Sequence, residues 1–357
     1  MGIAITLTTI HKPTVLEDYI RNIQQYGHED IEIVVVGDKK TPSGMSEYCQ
    51  RLSFAYLGVK SVTYLGIEEQ TKFLMQGYKD LFEFLPYNSF ARRNIGDLYA
   101  YDQGHDIIIR VDDDNFPMKT DFIGGHKVLG QTDMLVIDTS NGWYNICEEL
   151  TDKSNIPFYP RGFPYDMRWQ TSNVHKKWKS INVVLNGGLW LGDPDVDAVT
   201  RLCKPIDAVE YKRTFGAYFA LERGTWCPIN TQNTSYSRQI IPASYVSPNV
   251  GRYDDIWSGY LLRKITDTLG DYVSYGEPLL NQIRNEHNLW DDLDKEINGN
   301  LYTRHLIDTM DDIDLKGTSY ADCYYELAEK LDQNLHRNRD VFDNVITGMK
   351  IWAECFR

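Results

Sequence analysis

The stretch Ile107-Ile-Ile-Arg-Val-Asp112-Asp113-Asp114-Asn115 decides how the rest of the chain is read. Four β-branched residues around one arginine describe a short buried strand, and three consecutive carboxylates follow at its C-terminal end. In an α/β sheet, ligands collect just beyond that end of the strands. A hard divalent cation holding a diphosphate would find oxygen ligands there. The competing reading is a solvated acidic turn, but a buried-type strand that feeds straight into three acids is poorly explained as decoration.

Outward from this stretch, the first half of the chain alternates strands and helices. Ile3–Thr9, Ile31–Gly37 and Val62–Leu65 read as strands, and Val15–Tyr26, Met45–Tyr56 and Phe90–Tyr101 as helices. Asp106–Val111 is the strand bearing the acids, and Met134–Asp138 follows as another. Unbroken Ile and Val runs separated by helices imply a parallel sheet covered on both faces. From Thr139 to Lys179 the chain is rich in Tyr, Trp, Pro, Asn and Arg with little periodicity. So long an aperiodic stretch predicts a functional loop, a lid or a binding surface. Ser180–Asn186 reads as a strand and Tyr253–Leu269 as a helix, and the tail is helical over Ser319–Leu335 and Asp340–Cys355. In the last helix Phe342, Val345, Ile346, Met349 and Trp352 share one face, which suits core or oligomer contact. The expected organisation is an α/β catalytic domain over residues 1–290, with a mostly parallel central sheet, and a helical extension over 291–357.

The 357 residues can bury a large core, and 42% hydrophobic with 25% charged content is ordinary for a globular protein. A net charge of −14 argues against nucleic acid and anionic membrane as partners. It leaves a nucleotide open, because a metal ion and a few arginines can reverse the field inside one cleft. The six cysteines, Cys49, Cys147, Cys203, Cys227, Cys323 and Cys355, have no short spacing. They are expected to be reduced core thiols rather than zinc ligands. The start lacks the basic and apolar regions of a secretory signal, and no segment has the apolar length of a membrane span, so a cytoplasmic protein is expected. The sequon at Asn233 then carries no meaning. Neither a Gly-x-Gly-x-x-Gly after the first strand nor a Gly-Lys-Ser/Thr loop is present, so no NAD, flavin or P-loop ATP site is expected. With those set aside, the strand and its acids are similar to a nucleotide-sugar domain of the glycosyltransferase A type, which binds the diphosphate through a metal on an Asp-x-Asp motif.

In an extended chain Asp112 and Asp114 point to one side and Asp113 to the other. Asp114 is expected to hold the metal, Mn²⁺ or Mg²⁺, joined by Asp112 through water. The carboxylate left over suits ribose or sugar hydroxyls, and Asp112 also counts among the donor-binding residues. In Ala91-Arg92-Arg93-Asn94-Ile95-Gly96, Arg93 could reach a donor phosphate or sugar; its competing place is a solvated helix surface.

The second half resembles the reversibly glycosylated polypeptide family, whose plant members include UDP-arabinopyranose mutases. The matching elements run in order: Val111-Asp-Asp-Asp-Asn-Phe-Pro, Arg161-Gly-Phe-Pro-Tyr-Asp-Met-Arg168, Gly188-Leu-Trp-Leu before Asp193-Pro-Asp-Val-Asp-Ala, Gly251-Arg-Tyr-Asp-Asp-Ile-Trp-Ser-Gly259, and Asp322-Cys-Tyr-Tyr-Glu-Leu-Ala, with Met349-Lys-Ile-Trp in the tail. The likeness covers roughly residues 100–357, five motifs in one order. It implies that Arg161 occupies the position the family's enzymes glycosylate with their own donor, and that Arg168 is its companion. As chemistry, both suit guanidinium clamps on a diphosphate, while an arginine is a poor nucleophile. Asp254 and Asp255 open a helix, where carboxylates also serve as caps; in related glycosyltransferases such a pair faces the acceptor or the sugar hydroxyls. Asn186, Gly188, Trp190 and Trp257 are expected around the sugar, and His287 near the metal. The N-terminal third matches least; there Asp38, after the second strand, suits uracil or ribose.

Three activities compete: a flavin-free mutase interconverting pyranose and furanose forms of a UDP-sugar, with self-glycosylation as an accompaniment; a metal-dependent glycosyltransferase using an external acceptor; and a non-catalytic subunit that assembles with active homologues. The intact acids with Arg161 and Arg168 argue against the third. The resemblance alone favours the first, and it leaves homo- or hetero-oligomers with homologues open.

Overall fold

The continuous Ile and Val runs become one half of a twisted sheet. The computed structural model of the chain describes residues 1–55, 58–336 and 339–357. Among them β1 (Ile3–Thr8), β2 (Ile31–Val36), β3 (Val59–Leu65) and β4 (Ile107–Arg110) lie in the order β3-β2-β1-β4, all parallel. Ile3 faces Ile31 on one side and Ile107 on the other. The connections are α1 (Val15–Gln25), α2 (Met45–Ala55), and the set α3 (Ile67–Met75), α4 (Lys79–Phe84) and α5 (Arg93–Asp102). Tyr56, the expected end of α2, lies outside the described residues. A 3₁₀ turn over Phe90–Arg92 precedes α5, which packs on β1 and β2. Gly96 permits that approach, since a Cβ there would fall 2.8 Å from a Val36 methyl.

Beyond β4 the sheet is mixed, so the expected parallel order holds for the N-terminal half alone. The strands are β5 (Asn115–Pro117), β6 (Gly130–Thr139), β7 (Leu150–Asp152), β8 (Val174–Gly192), β9 (Ala208–Tyr211), β10 (Tyr218–Leu221), β11 (Thr234–Ser237) and β12 (Tyr272–Gln282). Short helices α6 (Phe122–His126) and α7 (Ala198–Cys203) are interspersed. The order continues β4-β11-β8-β6-β10-β12-β5; β11 runs antiparallel to both β4 and β8, and β8 antiparallel to β6. Antiparallel neighbours need no crossover helix, and this half has few.

The segment 139–179 is not aperiodic throughout. It contains 3₁₀ turns at Ile146–Glu149 and Tyr165–Met167, strand β7 and the start of β8. Its Trp143, Tyr144, Phe158 and Phe163 are buried, and Trp143 meets Phe163 and Tyr260 edge-on at 5.5 and 6.1 Å. Part of the aromatic richness that suggested a binding surface is packing, while Tyr165, Trp169 and Trp178 stay exposed.

The C-terminal helices are α8 (Asp254–Leu269), α9 (Leu289–Asp311), α10 (Tyr320–Asn334) and α11 (Arg339–Glu354). The apolar face expected for the last helix is core: Trp352 is buried and its indole N–H donates to the Ile241 carbonyl at 3.0 Å. One contiguous core runs from Ile3 to Ala353, and residue 290 falls in the first turn of α9. The helices of the extension share that core with the sheet. No disulfide occurs among the described residues, and Cys203 is exposed while Cys49, Cys147, Cys227 and Cys323 are buried. Among the described residues no helix is long and apolar enough to cross a membrane.

Candidate active site

Strand β4 is anchored from below before it delivers its acids. Arg110 is fully buried, pairs with Asp97 of α5 at 2.9 Å, and donates to the Ser244 carbonyl and hydroxyl at 3.0 and 2.8 Å. The chain then turns instead of staying extended. Asn115, fully buried, accepts the Asp112 N–H on Oδ1 at 3.0 Å and donates from Nδ2 to Asp114 at 3.1 Å. The alternation expected for Asp112, Asp113 and Asp114 is replaced by a turn that sets all three on the wall of one cleft.

That cleft has a volume of about 440 Å³ and is built from strand ends. Thr8 ends β1 and Thr9–His11 follow it, Val36 ends β2 and Gly37, Asp38 and Lys40 follow it, Asn88–Phe90 and Arg92 precede α5, and Asn285–His287 follow β12. Asp38 lines it, but its carboxylate accepts the backbone N–H groups of Lys39 and Ser89 at 2.7 and 3.1 Å, so it also shapes the loop. His287 lines it with Nδ1 turned to Asp292 at 3.3 Å.

The three acids differ in what they touch. Asp112 accepts Arg93 Nη2 at 2.9 Å and Gln232 Nε2 at 2.8 Å, one on each oxygen. Asp113 accepts the Thr9 hydroxyl at 2.6 Å. Asp114 receives the Asn115 amide and the Asn285 backbone N–H. Burial, and then the charges of Asp112 and Asp113, push its pKa up to about 7. Crowded carboxylates of this kind are what a cation relieves. Among the described residues, however, no three His, Cys, Asp or Glu side chains are gathered closely enough to hold a metal ion. The acids match a divalent cation in charge and oxygen chemistry, but not in spacing.

Arg93 is neither on a solvated face nor in the cleft. It is buried, over the Phe90 ring, and bonded to Asp112 and to the Val111 and Thr231 carbonyls; its neighbour Arg92 lines the cleft. Thr231 continues the chain of contacts by donating its N–H to Asp255 at 3.2 Å. Arg161 bonds Asp255 at 3.0 Å and grips Asp195 with two parallel bonds of 2.9 Å. Burial opposes charge here, but Asp195 and Asp255 outweigh it and hold the guanidinium firmly protonated. Burial likewise opposes the Asp195 charge, and Arg161 outweighs it, leaving that carboxyl well below its usual range. Gly162 makes the fit possible: its φ is +89° and a Cβ would lie 2.4 Å from Ile256. Asp254, beside this pair, is pushed up to about 7 by burial and then by Asp255.

Arg161, Gly188, Trp190 and Asp195 line a second cavity of only about 20 Å³. That is room for roughly one water molecule, so no sugar fits there in this conformation. Arg168 does not line either cavity. It pairs with Asp197, donates to the Phe163 carbonyl, and stacks on Tyr165 at 3.9 Å. Asn186 is buried against Ser274. Trp257 is core, a correction to its expected place at the sugar: its ring stacks on Phe342 at 5.2 Å and its N–H donates to Thr303 at 2.8 Å. The residues 230–233 were missed altogether. Asn230 bonds Asp195, Thr231 bonds Asp255, and Gln232 bonds Asp112, so one short segment ties three acidic centres together. Asn233 is buried and donates to the Leu189 carbonyl at 2.6 Å. The run of polar residues at 230–235 was the available signal.

The model of the reversibly glycosylated polypeptide family matches residues 85–357, and the chain belongs to that family. UDP-arabinopyranose mutase 3 of Arabidopsis thaliana is 31% identical over 206 residues, covering 56% of this chain and 53% of the relative. Probable UDP-arabinopyranose mutase 1 of Pisum sativum is 28% identical over 264 residues, covering 70% and 67%. The chain spans about half the length of most of the curated relatives it matches. Among solved structures, glucosyl-3-phosphoglycerate synthase from Mycobacterium tuberculosis in complex with Mg²⁺ and uridine diphosphate is similar at a TM-score of 0.43 and 12% identity, over 85% of this chain and 79% of that one.

Proposed function

We propose that the chain is a metal-dependent, flavin-free UDP-sugar enzyme on a glycosyltransferase A-type scaffold, and that it interconverts pyranose and furanose forms of the sugar. The observation that carries the reading is the Asp112–Asp114 turn on the wall of the 440 Å³ cleft, within a member of this family. The cleft lies beyond the C-terminal ends of β1, β2 and β4, where α/β folds bind nucleotides. Asp114, with His287 in the same wall, would hold Mn²⁺ or Mg²⁺. A bound divalent cation would supply Lewis-acid stabilisation of charge on the leaving phosphate.

The protein's own groups take the remaining work. Arg93 and Gln232 fix Asp112, leaving its outer lone pairs for ribose or sugar hydroxyls, and Asp38 borders the nucleoside end. Ring contraction breaks the anomeric C–O bond to phosphate, bonds a different sugar hydroxyl to the anomeric carbon while the original ring C–O bond opens and the released oxygen takes up the proton, and then re-forms the bond to phosphate. UDP must stay anchored meanwhile, which is an effective-molarity advantage. Arg161 is assigned a positioning role: it holds Asp195 as a carboxylate and bonds Asp255. Covalent glycosylation of Arg161 would first require releasing it from both. Calorimetry of UDP binding tests the reading, with Mn²⁺ and again after chelation. Binding that requires the metal is expected; no binding in either condition contradicts the assignment.

A further inference from the structure

The connection from β12 to α9 carries an arginine with nothing to hold. Arg284 Nε and Nη1 are shut off from solvent without any hydrogen-bond partner, and no carboxylate pairs with its guanidinium among the described residues. The side chain as a whole is partly exposed, but guanidinium N–H groups cut off from water without an acceptor are costly. Its surroundings are charged on both sides. Arg201 is committed to Asp193 and Arg252 to Glu296 and Asp292, so Arg284 is the member of this trio left unpaired. Burial, then Arg201 and Arg252, bring its pKa down to about 10, and it remains a cation at neutral pH.

The backbone keeps it beside the acidic turn. Ile283 donates its N–H to the Asp114 carbonyl at 3.1 Å, and Asn285 donates its N–H to the Asp114 carboxylate. The next residues, Asn285 to His287, form the cleft wall. A carboxylate cluster that calls for a cation thus stands next to a guanidinium that calls for an anion. A metal–diphosphate pair satisfies both at once.

We propose that Arg284 is a diphosphate-binding residue of this site, its N–H groups received by phosphate oxygens of the nucleotide when the donor is bound. Guanidinium geometry suits such oxygens. The inference rests on the UDP-sugar reading above and names the residue that would anchor UDP while the sugar rearranges.

The test is calorimetry on the full chain in Mn²⁺ with UDP, inorganic pyrophosphate and uridine, comparing wild type with Arg284→Gln and Arg284→Lys. Loss of a charge-assisted contact should weaken UDP and pyrophosphate by about 10- to 100-fold in Arg284→Gln. Uridine binding should be unchanged, and Arg284→Lys should recover only part of the loss. The ligand-free melting temperature of Arg284→Gln should hold or rise, because Nε and Nη1 have no partner to lose; a purely structural arginine would lower it. Equal UDP affinity in folded wild type and Arg284→Gln overturns the proposal, as does an equal loss for uridine. If wild type binds pyrophosphate through Arg284 but not UDP, the anion site stands and the nucleotide reading falls. If it binds neither, both fall.

Discussion

At the scale of single residues, the acids of the triplet are chemically unequal. Asp112 spends an oxygen on each of Arg93 and Gln232, whereas Asp114 is bonded by one side-chain amide and one backbone N–H and is pushed up to about 7. Asp114→Asn should therefore abolish metal-dependent UDP binding and lower turnover at least about 100-fold, the worth of several kcal/mol of Lewis-acid stabilisation. Titration calorimetry and initial rates check it; unchanged values would reduce the triplet to a solvated turn. Trp257 is the opposite case. Stacked on Phe342 and bonded to Thr303, it should cost about 3–5 kcal/mol when changed to alanine, seen as a lower urea midpoint, with UDP affinity per folded molecule retained. Its motif placed it near the site correctly along the chain, but sequence position does not say which face of α8 a ring occupies. Arg161 and Arg168 were visible as a pair for the same reason, while their pairing with Asp195 and Asp197 of the Asp193-Pro-Asp-Val-Asp-Ala motif, some thirty residues away, was not.

At the scale of elements, the N-terminal strands were legible because parallel strands buried on both faces leave unbroken Ile and Val runs. What was illegible has equally physical causes. The first half of β8, Val174–Lys179, is exposed and reads His-Lys-Lys-Trp-Lys, so only its buried second half stood out. Helix α9 carries exposed Trp290, Ile297 and Leu301 on an otherwise polar surface, which blurs the apolar stripe that announces a helix. Strands β10 and β11 have four residues each, too few for a period. The opening of α8 carries its own prediction. Asp254 sits beside Asp255 and its pKa is raised to about 7, above the usual carboxylate range near 4. A raised folded-state pKa means that the folded chain binds the extra proton, so this contribution to stability is full below about pH 4 and is lost as pH rises through about 7. Asp254→Asn should flatten the fall in stability over that window, measured by denaturant titration at several pH values. An unchanged slope would mean that Asp254 is ionised throughout.

At the scale of the molecule, the sheet, its acidic turn and the C-terminal helices share one core. Helices α10 and α11 pack on residues 238–243, adjoining the β11 strand that pairs with β4, so they support the strand carrying the acids. Ending the chain after residue 318 should therefore yield an unfolded or aggregated product by circular dichroism and size-exclusion chromatography; a folded, UDP-binding fragment would contradict the single core. The most direct test of the central claim is NMR of a UDP-sugar incubated with the protein and Mn²⁺ without acceptor, the bridging oxygen between anomeric carbon and phosphate being isotopically labelled. The account predicts exchange between pyranose and furanose forms, with the label scrambling into non-bridging phosphate positions. If no UDP-pentose or UDP-hexose gives a furanose, yet added acceptors become glycosylated, the mutase assignment is contradicted and the protein is a conventional transferase.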